Sequence, residues 1–331
     1  MSYELPEALA SYPLRTSRRG HFWIPGELVR DSPFGTVMRA PMFVQWEAPA
    51  EVTHPYPVIL VHGGGGQGTD YTGTPDGRPG WLDRFVQEGY LTYVVDRPGH
   101  GRSWFHPGVV GEPGGMFPYE AAAGLFSAPV PGHDKAPWTG EPGEELTDQL
   151  VSGMGFVHAD YAEVNRMDAD RLAKLLDRTG PAIIVTHSAG APAGWLVSEL
   201  RHELVKAHVA IEPIGPAFGG FPGLGSLTWG LSALKPVLEP EPQTPEELQA
   251  DPGAFRQPGL AGIPTVVVVA GSSPFTDFEA SVADFVNALG GQAEFLNIAD
   301  HGVQGNGHAL MLETNSDEAA GPILDWIARV S

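Results

Sequence analysis

The sequence predicts an α/β protein whose central sheet is mostly parallel, with about eight strands, helices on both faces and lid-like insertions. Short apolar runs rich in valine and isoleucine alternate with stretches of helical period, as in proteins built on a parallel sheet. The middle runs are continuous rather than alternating, which is typical of strands covered on both faces. With 42% hydrophobic and 18% charged residues, the chain can form a sizeable core, and we interpret residues 1–331 as one domain.

The predicted strands are 21–24, 37–46, 58–61, 91–95, 182–185, 207–211, 265–270 and 293–298. The second run is longer and partly alternating, so we expect it to pair with the first as an antiparallel edge hairpin. The predicted helices are 81–88, 158–178, 190–203, 277–289 and 317–330.

Two stretches, at about 104–156 and 213–262, do not follow this alternation and are rich in glycine and proline. Both leave the sheet just after a predicted strand, at the edge where α/β proteins bind ligands. Long irregular connections are usually functional loops, so we expect a cap over an active site; plain decoration is the alternative. Their candidate pocket-lining side chains are Trp104, Phe105, Met116, Phe117, Tyr119, Met154, Phe156, Phe218, Phe221 and Trp229.

Composition excludes several classes of function. The net charge of −21 argues against a nucleic-acid or anionic membrane partner, because both need a basic surface. The absence of cysteine excludes disulfides, thiolate metal sites and cysteine nucleophiles. The N-terminus lacks an apolar signal-peptide region and no apolar run is long enough to span a bilayer, so we expect a cytoplasmic protein. Homo-oligomerisation stays open.

The segment Thr186-His187-Ser188-Ala189-Gly190 lies between a predicted strand and a predicted helix. A serine between small residues on such a turn is typical of a nucleophile elbow, which exposes the hydroxyl and frees the next amide, that of Ala189. The usual pattern is G-x-S-x-G, and Thr186 occupies the first glycine position. We therefore expect a less tight turn or a displaced helix.

A glycine run, His62-Gly63-Gly64-Gly65-Gly66, follows the strand 58–61. Glycine lets the backbone approach a substrate carbonyl closely, so the amide of Gly64 or its neighbour Gly65 would pair with that of Ala189 as an oxyanion hole. A phosphate loop is the alternative, but no G-K-[S/T] follows. We expect His62 to brace this loop.

The candidate acid is Glu212, which directly follows an apolar strand and precedes a proline; Asp277, near a predicted helix start, is the alternative. Asp96 belongs to a D-x-x-G-x-G-x-S turn and precedes the serine, whereas the order expected is nucleophile, acid, base. The candidate base is His308 in the loop after the last strand, with His301 as the alternative. A metal site from Asp300, His301 and His308 is disfavoured because their spacing is not that of a ligand set.

With these residues placed, the chain resembles the α/β-hydrolase superfamily over nearly its whole length. More narrowly, it is similar to a small group of bacterial esterases with a Ser-Glu-His triad. The likeness lies in Asp96 to Ser103, His187-Ser188, Ile211-Glu212-Pro213, Gly302-Val303-x-Gly305-Asn306-x-His308 and Ile323-Leu324-Asp325-Trp326-Ile327. The resemblance implies Glu212 and His308 rather than Asp277 and His301. The group's type member is exported and has two bonded cysteines where this chain has Gly64-Gly65.

The resulting hypothesis is a serine hydrolase that cleaves a hydrophobic small-molecule ester or lactone through Ser188, Glu212 and His308. It requires no cofactor or metal. Serine at the elbow argues against dehalogenase or epoxide hydrolase chemistry, which needs a carboxylate nucleophile. Thioesterase and peptidase activities use the same triad and stay open, and a non-catalytic binder on the same fold is the remaining alternative.

Overall fold

The computed structural model describes residues 14–127, 129–221 and 224–331. Residues 1–13, on which the expectation of no signal peptide partly rests, lie outside the described residues. Residue 128, in the first predicted insertion, and residues 222–223, in the second, also lie outside the described residues.

One sheet of eight strands organises the described chain. Its strands are β1 (Ser17–Ile24), β2 (Met42–Pro49), β3 (Val58–Val61), β4 (Thr92–Asp96), β5 (Ala182–His187), β6 (Val205–Ile211), β7 (Pro264–Val269) and β8 (Gln292–Asn297). They lie in the order β1-β2-β4-β3-β5-β6-β7-β8. Strand β2 runs antiparallel to both of its neighbours, and the remaining pairs are parallel. The mostly parallel sheet and the antiparallel edge pair are therefore confirmed.

Helices cover both faces of this sheet. The described α-helices are α1 (Trp81–Gln87), α2 (Pro107–Val110), α3 (Tyr119–Phe126), α4 (Glu145–Ser152), α5 (Tyr161–Thr179), α6 (Ala191–Leu200), α7 (Pro245–Ala250), α8 (Glu279–Ala288) and α9 (Ser316–Val330). Successive residues of a strand point to opposite faces. Leu60 accordingly packs in the cluster that contains α1 and α9, whereas Ile59 and Val61 pack in the cluster that contains α5 and α6.

The predicted strand 37–46 is wrong as a single element. It is broken at Ala40, whose φ of 48° is left-handed and interrupts an extended chain. The part before the break, Gly35–Arg39, pairs with Glu27–Ser32 in a separate hairpin, while the part after it is β2. The residues before the break are exposed or half-buried and most of those after it are buried, but no change in the hydrophobic pattern of the sequence marks the break itself.

The predicted insertions contain regular structure that the sequence reading missed. Helices α2, α3 and α4 lie in the first insertion and α7 in the second. These helices have four to eight residues, too few to show a clear helical period. The predicted helix 158–178 begins later, at α5, because the Asp160 side chain accepts a hydrogen bond from the N–H of Glu163 and caps the helix there.

Among residues 14–127, 129–221 and 224–331, every helix is too short or too polar to cross a membrane.

Candidate active site

Ser188 stands on a sharp turn between β5 and α6. Its φ is 48°, in the left-handed region that a residue with a side chain rarely adopts, and its side chain is partly exposed. The turn is therefore formed despite Thr186, whose buried hydroxyl is hydrogen-bonded to the His208 ring at 2.9 Å. The turn instead requires glycine after the serine, at Gly190, where a Cβ would lie 2.4 Å from the carbonyl oxygen of His62.

Glu212 follows β6, which neighbours β5 in the sheet, so its side chain emerges beside that of Ser188. It is fully buried and also has a left-handed φ, 45°. Its Oε1 accepts from the N–H of Ala270 at 2.6 Å, and its Oε2 accepts from the hydroxyl of Ser273 at 2.5 Å. Burial raises the pKa of the Glu212 carboxyl, while these two hydrogen bonds favour the carboxylate and lower it.

His308 joins the other two residues. Its Nδ1–H donates to Glu212 Oε2 at 3.1 Å, and its Nε2 accepts from the Ser188 hydroxyl at 3.1 Å. The imidazole is buried between the rings of Phe126 and Phe275, whose centroids lie 5.6 and 4.3 Å away. This burial lowers the pKa of His308, so the neutral imidazole that can accept a proton is favoured.

The alternatives lie elsewhere. Asp277 is exposed on the surface, in contrast to the buried Glu212. His301 and Asp300 are exposed as well, whereas His308 is buried, so these three side chains do not converge. In the described parts of the chain, no three histidine or carboxylate side chains are grouped as ligands of a metal ion. Asp96 is structural: its carboxylate accepts from the amides of Gly68 and Arg102.

A buried ion pair orients the glycine loop. Arg97 is bound to Asp168 at 2.7 Å and donates through Nη1 to the carbonyl of Gly63 at 3.1 Å. The Nδ1–H of His62 donates to the same carbonyl at 2.9 Å, and His62 Nε2 accepts from the Arg97 amide. In a trans peptide the N–H points opposite to the C=O. The amide of Gly64 therefore points away from Arg97.

The glycine loop and the serine turn are in contact. A Cβ on Gly63 would lie 3.1 Å from that of Ser188, and a Cβ on Gly64 would lie 3.1 Å from that of Ala189. Gly65 has a φ of 68°, and its carbonyl accepts from the N–H of Gly155 in the first insertion at 2.7 Å. The loop thus connects the serine turn to an insertion.

A carboxylate that the sequence reading missed holds the loop before His308. Glu313 is fully buried and accepts from the amide of Gly307 at 3.0 and 3.1 Å and from the Asn306 side chain at 2.8 Å. Its Oε1 also binds the His133 ring, from the first insertion, at 2.9 Å. The six-residue spacing from Gly307 to Glu313 gives no familiar motif, so only the fold reveals this contact.

A cavity of about 320 Å³ opens at Ser188, at the lower end of the size range of small-molecule sites. Its wall is mostly apolar and takes side chains from both insertions. Of the pocket residues expected from the sequence, it includes Met116, Phe117, Met154 and Phe221. The wall also includes residues that were not expected, among them Asp70, Leu125, Phe126, Ile214, Leu224, Phe275, Met311 and Leu312.

The other expected lining residues pack elsewhere. Phe105 contacts Phe156, Phe218 contacts Phe285, and Trp229 lies beneath the Lys235 ammonium. Tyr119 donates its hydroxyl to Asp148, and Trp104 is exposed. Residue type alone therefore did not distinguish cavity wall from insertion packing.

No family model matches this chain. A probable secreted lipase, phiG, from a fungus (strain ATCC 74256) is 30% identical over 321 residues, which cover 87% of this chain and 86% of that protein. A solved structure of a bacterial esterase superposes with a TM-score of 0.67 over 99% of both chains at 23% identity, a likeness of fold. The same family is indicated by the eight-stranded sheet, by the likeness to the esterase fold and by the sequence identity to the lipase. The chain belongs to the esterases and lipases of the α/β-hydrolase fold and is a carboxylic ester hydrolase.

Proposed function

We propose that this hydrolase cleaves a hydrophobic small-molecule ester or lactone through a Ser188-Glu212-His308 triad and an acyl-enzyme. The observation that carries the proposal is the continuous hydrogen-bond chain from the Ser188 hydroxyl through His308 to Glu212, with the serine at the cavity wall. The triad also fits the narrower resemblance to Ser-Glu-His esterases.

In the first step, His308 takes the proton of the Ser188 hydroxyl while Oγ attacks the ester carbonyl carbon. Glu212 holds the imidazole with Nδ1 protonated and stabilises the cation that forms. His308 then gives its proton to the departing alcohol. A water molecule, deprotonated by His308, attacks the acyl-enzyme and releases the acid and the free serine.

The oxyanion hole is proposed to consist of the amides of Gly64 and Ala189, with Gly65 as the next donor along the loop. Three observations support it: the contact between Gly64 and Ala189, the Gly63 carbonyl held by Arg97, and the first-turn position of Ala189, where amides lack intrahelical partners. Each such donor contributes about 3 kcal/mol to stabilisation of the transition state.

The insertions at about 104–156 and 213–262 are proposed to form a cap over the cavity. Phe117 and Met154 from the first and Phe221 and Leu224 from the second line it. The wall's apolar character supports an apolar acyl or alcohol group, and the relative's description as a lipase agrees with such a substrate.

A substrate panel tests the proposed function. We expect turnover of 4-nitrophenyl esters of graded acyl length and of aliphatic lactones, and slower turnover of matched anilides, because an amine is a poorer leaving group than an alcohol. Initial rates with a matched thioester complete the panel. A protein that cleaves the anilide or the thioester faster than every ester and lactone would contradict the proposed substrate class.

Glu212→Gln is expected to lower kcat for a 4-nitrophenyl ester by about 10⁴-fold, because the amide stabilises the wrong tautomer of His308. Asp277→Asn, the matched control, removes an exposed carboxylate and should leave kcat unchanged. Steady-state kinetics of the two variants shows which carboxylate is the acidic member of the triad. A larger loss from Asp277→Asn would show that Glu212 was assigned wrongly.

The pH profile of kcat/KM should fall on the acid side, because Glu212 and His308 must both be unprotonated. Burial raises the pKa of Glu212 above its ordinary 4.5 and lowers that of His308 below 6.5. Because the two groups share a hydrogen bond, the acid limb of the profile reports protonation of the pair. We expect the midpoint for an unsubstituted alkyl ester to lie above pH 4.5. In the residual activity of Glu212→Gln, the midpoint of the pH profile should move to lower pH. A shift of the midpoint to higher pH would contradict the role proposed for Glu212.

A further inference from the structure

Asp70 brings a carboxylate to the wall of an otherwise mostly apolar cavity. It lies in the 3₁₀ helix Gly68–Tyr71 that follows the glycine loop, and it lines the same cavity as Ser188. Its side chain is partly exposed to that space, while the carboxyl group is otherwise surrounded by protein. Gly66 makes room for it, since a Cβ there would lie 2.3 Å from Asp70 Oδ2.

The fold uses little of this carboxylate's hydrogen-bonding capacity. Oδ2 accepts one long bond, 3.3 Å, from the amide of Gln67. Among the residues that the structure describes, Oδ1 accepts no hydrogen bond and no cationic side chain pairs with Asp70. Asp96, by contrast, is fully engaged by amides and by the guanidinium of Arg102.

An unpaired carboxylate in such surroundings is unfavourable. Burial is the main cause that raises the pKa of Asp70 to about 7; the Gln67 amide acts to lower it and the charge of Asp96 acts to raise it. A buried polar group costs free energy until it finds a hydrogen-bond partner. The bond from the Gln67 amide to Oδ2 caps the first turn of the 3₁₀ helix Gly68–Tyr71, so that oxygen has a structural role. This cap leaves Oδ1 unengaged at the cavity wall, where it can accept a hydrogen bond from a ligand.

We propose that Asp70 binds a hydrogen-bond donor, a hydroxyl or an amino group, on the substrate, so that the preferred esters are apolar molecules carrying one such donor. This inference rests on the proposed function, because it concerns the same cavity. Asp70 thereby determines specificity, and Ser188, Glu212 and His308 carry out the reaction.

The distance between Gly64 and Gly66 determines how far the donor of a test ester must lie from its carbonyl carbon. Gly66 is two residues beyond Gly64, so their Cα atoms are at most about 7.6 Å apart. A donor some six bonds from the ester carbonyl carbon can span that distance. The 4-nitrophenyl esters of 6-hydroxyhexanoic and 6-aminohexanoic acid carry a donor there, and the heptanoate ester has a methyl group in its place.

The experiment measures kcat/KM for these three esters with wild type, Asp70→Leu and Asp70→Asn. In wild type, the ratio of the hydroxy ester to the heptanoate should be about tenfold higher than in Asp70→Leu, the effect of one hydrogen bond to a buried acceptor. Asp70→Asn keeps the side-chain size and removes the charge, so it should lower the ratio of the amino ester to the heptanoate. Asp284→Asn, exposed on α8, is the matched control and should change neither ratio.

The outcomes separate this proposal from the proposed function. If wild type hydrolyses the heptanoate and neither ratio changes in Asp70→Leu, the donor-binding role is wrong and the esterase function stands. If Asp70→Leu is inactive with every ester, Asp70→Asn decides through the amino ester: a lower ratio supports the role, and an unchanged ratio overturns it. If wild type hydrolyses none of the three, the proposed ester hydrolysis fails and this inference fails with it.

Discussion

Ser188→Ala is expected to lower kcat for ester hydrolysis by about 10⁶-fold, the scale on which loss of the nucleophile abolishes a serine triad. In the proposed mechanism the serine hydroxyl attacks the carbonyl; alanine has no hydroxyl, so no acyl-enzyme can form. The substitution removes one oxygen from a partly exposed position, so the fold should persist. Stopped assays with a 4-nitrophenyl ester and circular dichroism of the same samples measure both effects.

The matched control for this variant is Ser281→Ala, which removes an exposed hydroxyl on α8. An organophosphate ester should add its phosphoryl group to wild type and to Ser281→Ala, as seen in the intact mass, and leave Ser188→Ala unmodified. Equal hydrolysis by wild type and Ser188→Ala would refute the serine mechanism.

His308→Ala is expected to cost about as much as loss of the nucleophile, about 10⁵- to 10⁶-fold in kcat, because members of a triad act as a unit. In the proposed mechanism, loss of the imidazole leaves the Ser188 proton without an acceptor and the leaving alcohol without a donor. His301→Ala is the control, since that side chain is exposed and its loss should leave kcat unchanged. A comparable loss in both variants would mean that the loop 298–308 matters as a whole rather than through His308.

The sequence could predict the elements that are long and periodic. Strand β3 was predicted with its observed bounds and β4 to β7 within a few residues, because short runs rich in Val and Ile are typical of buried strands. Strand β8 was also predicted within a few residues, although it contains neither residue. Short elements could not be predicted, because a helix of four residues such as α2 is too short to show a helical period. The break at Ala40 could not be predicted, because a residue other than glycine in the left-handed conformation leaves no signal in the composition.

For the site, chain order and strand ends predicted the residues that the structure brings together at Ser188. The surroundings could not be predicted, because they depend on contacts between distant segments. Glu313 binds the loop of His308 through Gly307, and it also binds His133, which lies 180 residues earlier. No sequence pattern singles out Asp70, and only the fold places it at the cavity wall.

The backbone conformation at Ser188 and Glu212 lowers the stability of the fold at two positions that the proposed activity requires. Both residues have left-handed φ values, 48° and 45°, and each such conformation costs about 1–3 kcal/mol for a residue with a Cβ. Glycine adopts that conformation without the penalty, so at Ser188 the substitution that removes the proposed nucleophile also relieves this backbone strain. A screen of variants for melting temperature alone would therefore favour glycine at this position, and an activity assay must accompany any engineering of this enzyme for stability.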